Sequence, residues 1–451
     1  MKFFLLVFVT LIISSCSFDN KTGIWKDASN IPVDDRAVET IGADNLKKKY
    51  EDIFTKDKIF NEEIDLLENS ILKLESPVKA NDWLEEYGVK NNNISNSSYS
   101  GYKGLISKSG KLNKLTRNRN IIFYENNLIS FDHKGKIFIY SLDTKKKTFE
   151  YNFYKKNFKN FKKELYLAVN NSILYAADNL GYVYAIDLKN RSLVWAKNYG
   201  VPFRSNLKIT KEQLLLANQD NVIYAINPNT GDKDWQFSTS LTFLKSDFMN
   251  NFAIDENKKN IFFLNTSGEL YSINRLDRKI NWVLNFKSSS FAGEAALFLS
   301  QPLVIKNNNL IVSTEKTIMS FDSSSGVRNW LFASNPILKP VATKNYIYML
   351  SKNNLLICLD NTTGKVLWSK KIFTNIERKK IKKIGKIHDL KIANNELNLF
   401  SKNGYLLSFS YGDGDFNYLK KISKNGISSK VIFIKNNMLL IDNSNKLLKF
   451  N

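Results

Sequence analysis

The clearest hydrophobic pattern in the chain is a hairpin unit, whose fullest copy runs from Leu356 to Trp368. The apolar run from Leu356 to Leu359 predicts a short strand buried on both faces. Residues 360–364, Asp-Asn-Thr-Thr-Gly, predict a tight turn, because Asx and Thr side chains bond nearby backbone groups and Gly allows a positive φ. Val366 and Trp368 then resume the two-residue alternation of a half-buried strand, so the unit predicts a β-hairpin.

The same unit recurs along the chain, and each copy ends on an aromatic anchor. The anchors are Trp195, Trp235, Trp282, Trp330, Trp368 and Tyr418. Their spacings of 40, 47, 48, 38 and 50 residues match the period of a four-stranded propeller blade. We interpret the five tryptophans as wedges between adjacent blades and not as a ligand cage, because large aromatic residues at a fixed repeat position dominate packing.

Two incomplete copies flank the array. The first follows Ile139, and its anchor is Tyr151 or, if the copy is aligned on Gly135, Phe149. The last begins at Lys446, and the sequence stops before its outer strand. A closed ring leaves no such edge unpaired, so we expect a strand near residues 104–108 to complete it. The sequence predicts an all-β fold, an eight-bladed β-propeller over residues 78–451 whose last blade is closed by an N-terminal strand.

The region before the array divides into a signal and a tether. Residues 1–16 combine a basic start, an apolar core and small residues before Cys16, which predicts a lipoprotein signal peptide. Residues 13–16, Ile-Ser-Ser-Cys, resemble a bacterial lipobox, so we expect lipidation of Cys16 and a membrane anchor. The alternative is an ordinary secretory signal that contains a Cys. Residues 17–77 are interpreted as a tether with one or two short helices within 43–75, where apolar residues recur at helical spacing.

The chain is strongly basic, with 66 Lys and Arg against 43 Asp and Glu and a net charge of +23. A basic surface can attract nucleic acid or anionic head groups. The lysines are spread through every loop, with one strongly basic stretch at residues 370–386. Because a secreted lipoprotein rarely meets nucleic acid, we expect no nucleic-acid partner and only weak attraction to anionic membranes or acidic proteins.

The sequence lacks the motifs that would indicate catalysis or metal binding. Its two Cys, Cys16 and Cys358, and its two His are far apart, and no phosphate loop or nucleophile elbow occurs. Cys358 falls at a mid-strand position that other copies fill with Ala or Ser, which predicts a buried small residue. We therefore expect no enzymatic activity, no metal and no cofactor.

The repeat from Asp360 to Trp368 resembles the tryptophan motif of PQQ-type quinoprotein propellers. One branch of that superfamily, the PQQ-dependent dehydrogenases, holds a calcium-bound quinone on the propeller axis and often has an adjacent-Cys disulfide, which this chain lacks. The other is the outer-membrane assembly lipoprotein family BamB. The lipobox, the lead-in with Asn-Asp-Trp at residues 81–83 and the eight blades are similar to that family, and residues 21–27 look like its alphaproteobacterial members.

The resemblance implies a non-enzymatic scaffold, lipid-anchored at the periplasmic face of the outer membrane. It would bind the POTRA domains of the barrel-inserting protein BamA and aid insertion of β-barrel proteins, whose unfolded chains are further candidate partners. The family's partner-binding segments align with residues 203–205 and 246–247, which implies Phe203, Arg204 and Asp247 as contacts. Two other functions stay open: a PQQ-dependent dehydrogenase-like quinoprotein, and a propeller that binds some other periplasmic protein.

Overall fold

The computed structural model describes residues 17–18, 25–26, 59–113, 121–154, 158, 160–240, 249–286 and 298–451. The chain divides into two compact units, Met1–Lys58 and Ile59–Asn451. In the first unit the described residues are two short strands, Ser17–Phe18 and Trp25–Lys26, which pair antiparallel. Within the described residues, no helix has both the length and the apolar character needed to cross a membrane.

The second unit contains eight four-stranded antiparallel sheets, which confirms the predicted eight-bladed propeller. In blades 1 to 7 the strands are arranged in sequence order, from a first strand to an outer strand. Blade 1 consists of Ile122–Tyr124, Asn127–Phe131, Lys136–Ser141 and Lys146–Asn152. Blade 2 consists of Leu165–Asn170, Ile173–Asp178, Tyr182–Asp187 and Ser192–Asn198. Blade 3 consists of Lys208–Ile209, Leu214–Ala217, Val222–Ile226 and Lys233–Ser238. Blade 4 consists of Asn251–Asp255, Asn260–Leu264, Glu269–Asn274 and Ile280–Asn285. Blade 5 consists of Val304–Lys306, Asn309–Ser313, Thr317–Asp322 and Arg328–Ala333. Blade 6 consists of Val341–Ala342, Tyr346–Leu350, Leu355–Asp360 and Val366–Lys371. Blade 7 consists of Ile387–Ala393, Glu396–Ser401, Tyr405–Ser410 and Phe416–Lys421. Blade 8 consists of Ile432–Ile434, Asn437–Ile441 and Lys446–Phe450, together with the N-terminal strand Leu105–Lys111.

The burial of each strand follows the hydrophobic pattern of its sequence. The second strand of blade 4, Asn260–Leu264, is buried along its whole length, whereas the outer strand, Ile280–Asn285, alternates between exposed and half-buried positions. Middle strands have a neighbouring blade on each side, so they need apolar residues on both faces. Outer strands border solvent, and only their inward positions must be apolar.

From blade 1 to blade 7, the first strand of each blade contacts the first strand of the next one around the central axis. Because neighbouring strands are antiparallel, connections alternate between two faces of the ring. We call the face that carries the first-to-second and third-to-fourth strand turns, such as residues 188–191, the turn face. The opposite face, which carries the second-to-third turns and the interblade connections, such as residues 199–207, is the loop face.

The ring closes through both ends of the array, as predicted. Strand Leu105–Lys111 pairs antiparallel with Lys446–Phe450 and supplies the outer strand of blade 8. Leu105 lies opposite Phe450 and Lys111 opposite Lys446, with two register shifts between them. This pairing covers the edge of the eighth blade, which would otherwise expose unpaired backbone groups.

The register of blade 1 places Phe149, and not Tyr151, at the anchor position. Phe149 lies opposite Ile139, as Trp195 lies opposite Ala185 in blade 2, and in both blades a bulge follows that pair. Lys145, four residues before Phe149, has a φ of 55°, and Gly364, four residues before Trp368, has a φ of 71°. The turn geometry is therefore shared although the glycine is not.

The sequence predicts one or two short helices within residues 43–75, and for the described part, residues 59–75, that prediction is wrong because the structure has no helix there. Residues around Ile64 instead run extended along the outer strands of blades 5 and 6. Ile64 forms a bridge with Ser369, and the backbone N–H of Phe60 donates to the carbonyl of Ala333 at 3.0 Å. An unpaired strand edge offers these backbone partners, and helical spacing in the sequence cannot show them. The other predicted helical residues, 43–58, and Cys16 lie outside the described residues.

One α-helix, Arg378–Ile384, occurs in the described residues, within the connection between blades 6 and 7. It falls in the basic stretch noted in the sequence. Ile384 is fully buried and Ile381 half-buried against the same core, so the helix has an apolar inner side. We call it the basic helix.

Candidate functional site

The repeat tryptophans lie between adjacent blades. The Trp330 ring of blade 5 packs on the turn of blade 6, where a Cβ added to Gly364 would lie 2.6 Å from the ring. The indole N–H of Trp330 donates to the carbonyl of Asn361 in the same turn at 3.0 Å. The indole N–H groups of Trp195 and Trp282 likewise donate to carbonyls in the turn of the next blade, those of Pro228 at 2.8 Å and Ser323 at 3.3 Å. Trp235 lies at the equivalent position of blade 3 and is 9% exposed.

A lead-in segment, residues 78–100, contacts all eight blades near the axis, and we call it the axial segment. Its contacts fall on the first strand of each blade or on the turn that follows it, towards the turn face. In blade order they are Trp83 with Phe123, Leu84 with Val169, Glu85 with Lys208, Lys90 with Ile254, Asn91 with Ile305, Asn93 with Ala342, Ser97 with Ile392 and Ser100 with Asn436. Hydrophobic periodicity could not predict this path, because each contact joins positions far apart in the chain.

Buried polar groups fix the axial segment at blades 3 to 5. The Lys208 ammonium has no exposed surface and donates to Glu85 Oε1 at 2.7 Å and to Asn92 Oδ1 at 2.6 Å. The Asn92 amide in turn donates to the carbonyls of Phe252 and Leu303 at 2.6 and 2.9 Å. Burial lowers the pKa of Lys208, and the adjacent Glu85 carboxylate opposes that shift.

Three lysines and one aspartate lie near the axis at blades 6 to 8. Lys391 Nζ and Lys430 Nζ lie 3.8 and 3.9 Å from Asp389 Oδ1. Burial alone would raise the pKa of Asp389, but the charges of Lys391, Lys430 and His388 hold it below its usual value. Burial and the charge of Lys391 lower the pKa of Lys339. Two lysine ammonium groups thus lie beside the single Asp389 carboxylate.

Phe203 is a core residue and not a surface contact, contrary to the prediction. It has no exposed surface, and its ring packs against Tyr199 and Tyr224 with centroid separations of 5.8 and 5.9 Å. It also forms a bridge with Asn218 in the second-to-third turn of blade 3. The sequence alone could not distinguish a buried Phe203 from an exposed loop aromatic, because the interblade connections have no regular pattern of burial.

Arg204 follows Phe203 on the loop face and is half-buried. Its carbonyl accepts from the backbone N–H of Asn250 at 2.8 Å, so the blade 2–3 connection meets the end of the blade 3–4 connection there. Its guanidinium lies near Tyr166, where burial and Glu164 raise the pKa of the phenol and Arg204 opposes them. A cavity of about 180 Å³ opens next to this connection and includes Asn206 and Met249 in its lining. Asp247, three residues before Asn250, lies outside the described residues.

No group of three His, Cys, Asp or Glu side chains that could hold a metal occurs in the part of the chain that the structure describes. Cys358 is a free thiol with no exposed surface, and burial raises its pKa. A buried thiol with a raised pKa is a poor nucleophile.

Comparison with known proteins identifies related sequences. Residues 155–370 match the family model described as outer membrane protein assembly factor BamB. The BamB of Moranella endobia (strain PCIT) is 21% identical over 240 residues, which cover 48% of this chain and 60% of the relative. The BamB of Yersinia pestis is 21% identical over 226 residues, which cover 44% and 54%. The match thus spans little more than half the length of these curated relatives. The resemblance seen in the repeat is confirmed.

The fold is also shared with solved structures. The crystal structure of BamB from Moraxella catarrhalis matches with a TM-score of 0.61 and 12% identity, covering 77% of this chain and 99% of that one. The quinohemoprotein alcohol dehydrogenase of Comamonas testosteroni matches with a TM-score of 0.59 and 9% identity, covering 82% and 80%. At these identities the likeness concerns the fold alone.

Proposed function

The chain is related to the outer membrane protein assembly factor BamB, and we propose that it is a non-enzymatic scaffold in the assembly of outer-membrane β-barrel proteins. One observation carries the proposal: the family match over residues 155–370 covers blades 2 to 6, which include the loop-face connection with Arg204. In this proposal Cys16 is lipidated and anchors the chain at the periplasmic face of the outer membrane.

We place the partner site at Arg204 and the cavity that Asn206 of the same connection lines. The connections of blades 2–3 and 3–4 meet there through the Arg204 carbonyl and Asn250, so a partner could contact both. Arginine is enriched at the centres of interfaces, and a cavity in the same connection can accept a side chain of the partner. The partner we propose is the POTRA region of a BamA-like barrel protein, with unfolded outer-membrane proteins as clients and Asp247 as a second contact.

A quinoprotein dehydrogenase is the alternative that the shared fold raises. Calcium in proteins takes about six to eight oxygen ligands, so carboxylates and carbonyls must converge on it. Near the axis, the Asp389 carboxylate instead has two lysine ammonium groups within 4 Å, which take the place that a cation would need. Such a cluster repels a cation, and the described residues do not fit a calcium-bound quinone at that place.

The test is a pull-down of the tagged, lipidated protein from detergent-solubilised outer membrane, with mass spectrometry of the proteins recovered. We expect a POTRA-containing barrel protein in the eluate. Arg204→Glu should lower its recovery about tenfold, because reversing a central interface charge costs about 1.4 kcal/mol or more. Lys189→Glu changes an exposed charge on the turn face and should leave recovery unchanged.

Melting curves of the two variants show whether both propellers stay folded. Full recovery of the partner by a folded Arg204→Glu variant would reject this site while leaving the scaffold function standing. Recovery of the wild type without any POTRA-containing protein would reject the function itself.

A further inference from the structure

The basic helix belongs to a larger cationic surface on the loop face. Its members are exposed Arg and Lys side chains of the blade 6–7 connection with its helix, of the second-to-third turn of blade 7, and of the end of the blade 7 outer strand with the connection that follows it. They are Arg378, Lys379, Lys380, Lys382, Lys383, Lys386, Lys402, Lys421 and Lys424. We call this surface the basic patch.

Hydrogen bonds join the three parts of the basic patch into one surface. The Asn403 amide donates to the Lys383 carbonyl at 3.0 Å, and the Lys402 backbone N–H donates to the Lys386 carbonyl at 2.9 Å. The Lys421 ammonium donates to the Asn403 carbonyl at 2.6 Å. The basic side chains are therefore held side by side, although they come from segments up to about 46 residues apart.

The charge of the basic patch is largely uncompensated. Glu377 Oε1 pairs with Lys380 at 2.8 Å. Among the described residues, none of the other eight basic side chains has a carboxylate oxygen within 4.0 Å. Like charges on one surface repel one another, so an anionic surface that covers them would be stabilised.

The basic patch offers charge without an apolar anchor. Ile372, Ile376 and Ile384 are each less than 10% exposed and hold the connection on the core of blades 6 and 7. No large apolar side chain of residues 372–430 is exposed. Protein interfaces draw most of their binding energy from aromatic and apolar anchors in pockets, which this surface lacks. Anionic lipid head groups need no shape complementarity, because they rearrange laterally beneath a polybasic segment.

We propose that the basic patch binds the anionic phospholipid head groups of a membrane surface. The inference goes beyond the scaffold function and does not depend on it. Arg204 lies in the blade 2–3 connection and the basic helix in the blade 6–7 connection, half a ring apart on the same face. A partner at Arg204 and a membrane at the basic patch thus use different parts of the loop face.

The test is flotation of the full chain with lipid vesicles. All variants carry Cys16→Ser, so no acyl chain is attached and any contribution of residues 1–16 is the same in each. Vesicles of phosphatidylcholine are compared with vesicles in which phosphatidylglycerol replaces part of it, at low and at physiological salt. We expect binding to the anionic vesicles only, weakening as salt rises.

The patch variant is Lys379→Gln, Lys382→Gln and Lys383→Gln together, which keeps side-chain length and removes three charges. It should bind anionic vesicles about a hundredfold more weakly, since each basic residue near the surface adds a similar increment of binding energy. The matched control is Lys146→Gln, Lys189→Gln and Lys365→Gln, three exposed lysines on the turn face. It has the same net charge as the patch variant and should bind as the parent does.

Equal losses in the two triple variants would overturn the proposal, because the effect would then follow net charge and not the basic patch. Binding to neutral vesicles as strong as to anionic ones would overturn it as well. A third result would also overturn the proposal: the patch variant floats with anionic vesicles as the parent does, but its pull-down loses an acidic protein. The surface would then belong to a protein partner.

Discussion

At the scale of single residues, Trp368 illustrates how one side chain holds two blades together. It has no exposed surface and packs on the next blade at Gly414. Among the described residues its indole N–H has no hydrogen-bond acceptor, unlike that of Trp330, which donates to Asn361. The contribution of Trp368 to stability therefore comes from packing, which depends on the volume that it fills.

Replacing Trp368 by Ala should lower the free energy of unfolding by about 3–5 kcal/mol, because a large cavity would open between blades 6 and 7. Urea denaturation followed by circular dichroism measures the change. Trp282→Ala is the comparison, since Trp282 occupies the same repeat position but is half-buried, and its loss should be smaller. A loss at Trp368 no larger than at Trp282 would show that burial does not set the contribution of these residues.

At the scale of the element, the third-to-fourth strand turn keeps one geometry with different residues. The position four residues before the anchor has a positive φ in blades 1 to 7, at Lys145, Arg191, Gly231, Arg278, Gly326, Gly364 and Gly414. Four of these are Gly, and in each case an added Cβ would run into the Trp ring of the preceding blade. The close approach of that ring, besides the backbone angle, accounts for these glycines.

Two glycine substitutions separate these effects. Gly101 has a φ of 80° and Gly364 a φ of 71°, but only Gly364 has atoms within 4 Å of an added Cβ. Gly101→Ala should cost about 1 kcal/mol from backbone strain. Gly364→Ala should cost a further ~1–3 kcal/mol, because the Trp330 ring must shift. Urea titrations of the two variants give the difference, and equal costs would contradict the packing explanation.

At the scale of the whole molecule, the axial segment connects the ring from inside. It reaches all eight blades, and its buried ion pair, Lys208 with Glu85, lies in blade 3. Breaking one half of a buried pair leaves an uncompensated charge in a place that water does not reach. The stability of the ring should therefore depend on the Lys208–Glu85 ion pair, although this pair is not one of the backbone hydrogen bonds between the strands of a blade.

Lys208→Met should lower the free energy of unfolding by about 3–5 kcal/mol, because the Glu85 carboxylate, in a residue only 5% exposed, would lose its cation. The double variant with Glu85→Gln should recover most of that loss, since it no longer buries a charge. Thermal and urea unfolding of both variants measure this. A double variant as unstable as the single one would mean that the Asn92 contact of Lys208, and not its charge pair, sets the stability.

Local sequence determined the blades. The hairpin at Leu356–Trp368 is encoded in adjacent residues, because apolar runs, Asx turns and positive-φ glycines act within a few positions of one another. The spacing of the anchors then fixed the number of blades. The closing strand near residue 105 followed from the same logic, since the last blade lacked an edge partner.

Distant contacts decided the rest. Ile64 is extended because it meets Ser369, 305 residues away. Phe203 is buried because the rings of Tyr199 and Tyr224 pack against it. The anchor of blade 1 is Phe149 because its register with Ile139 sets the bulge. The candidate site likewise exists only in three dimensions, where the Arg204 connection meets Asn250 and the axial segment meets every blade. Periodicity in a sequence indicates which faces of a strand are apolar. Which residues cover each face depends on contacts between distant segments, and those contacts form only in the closed ring.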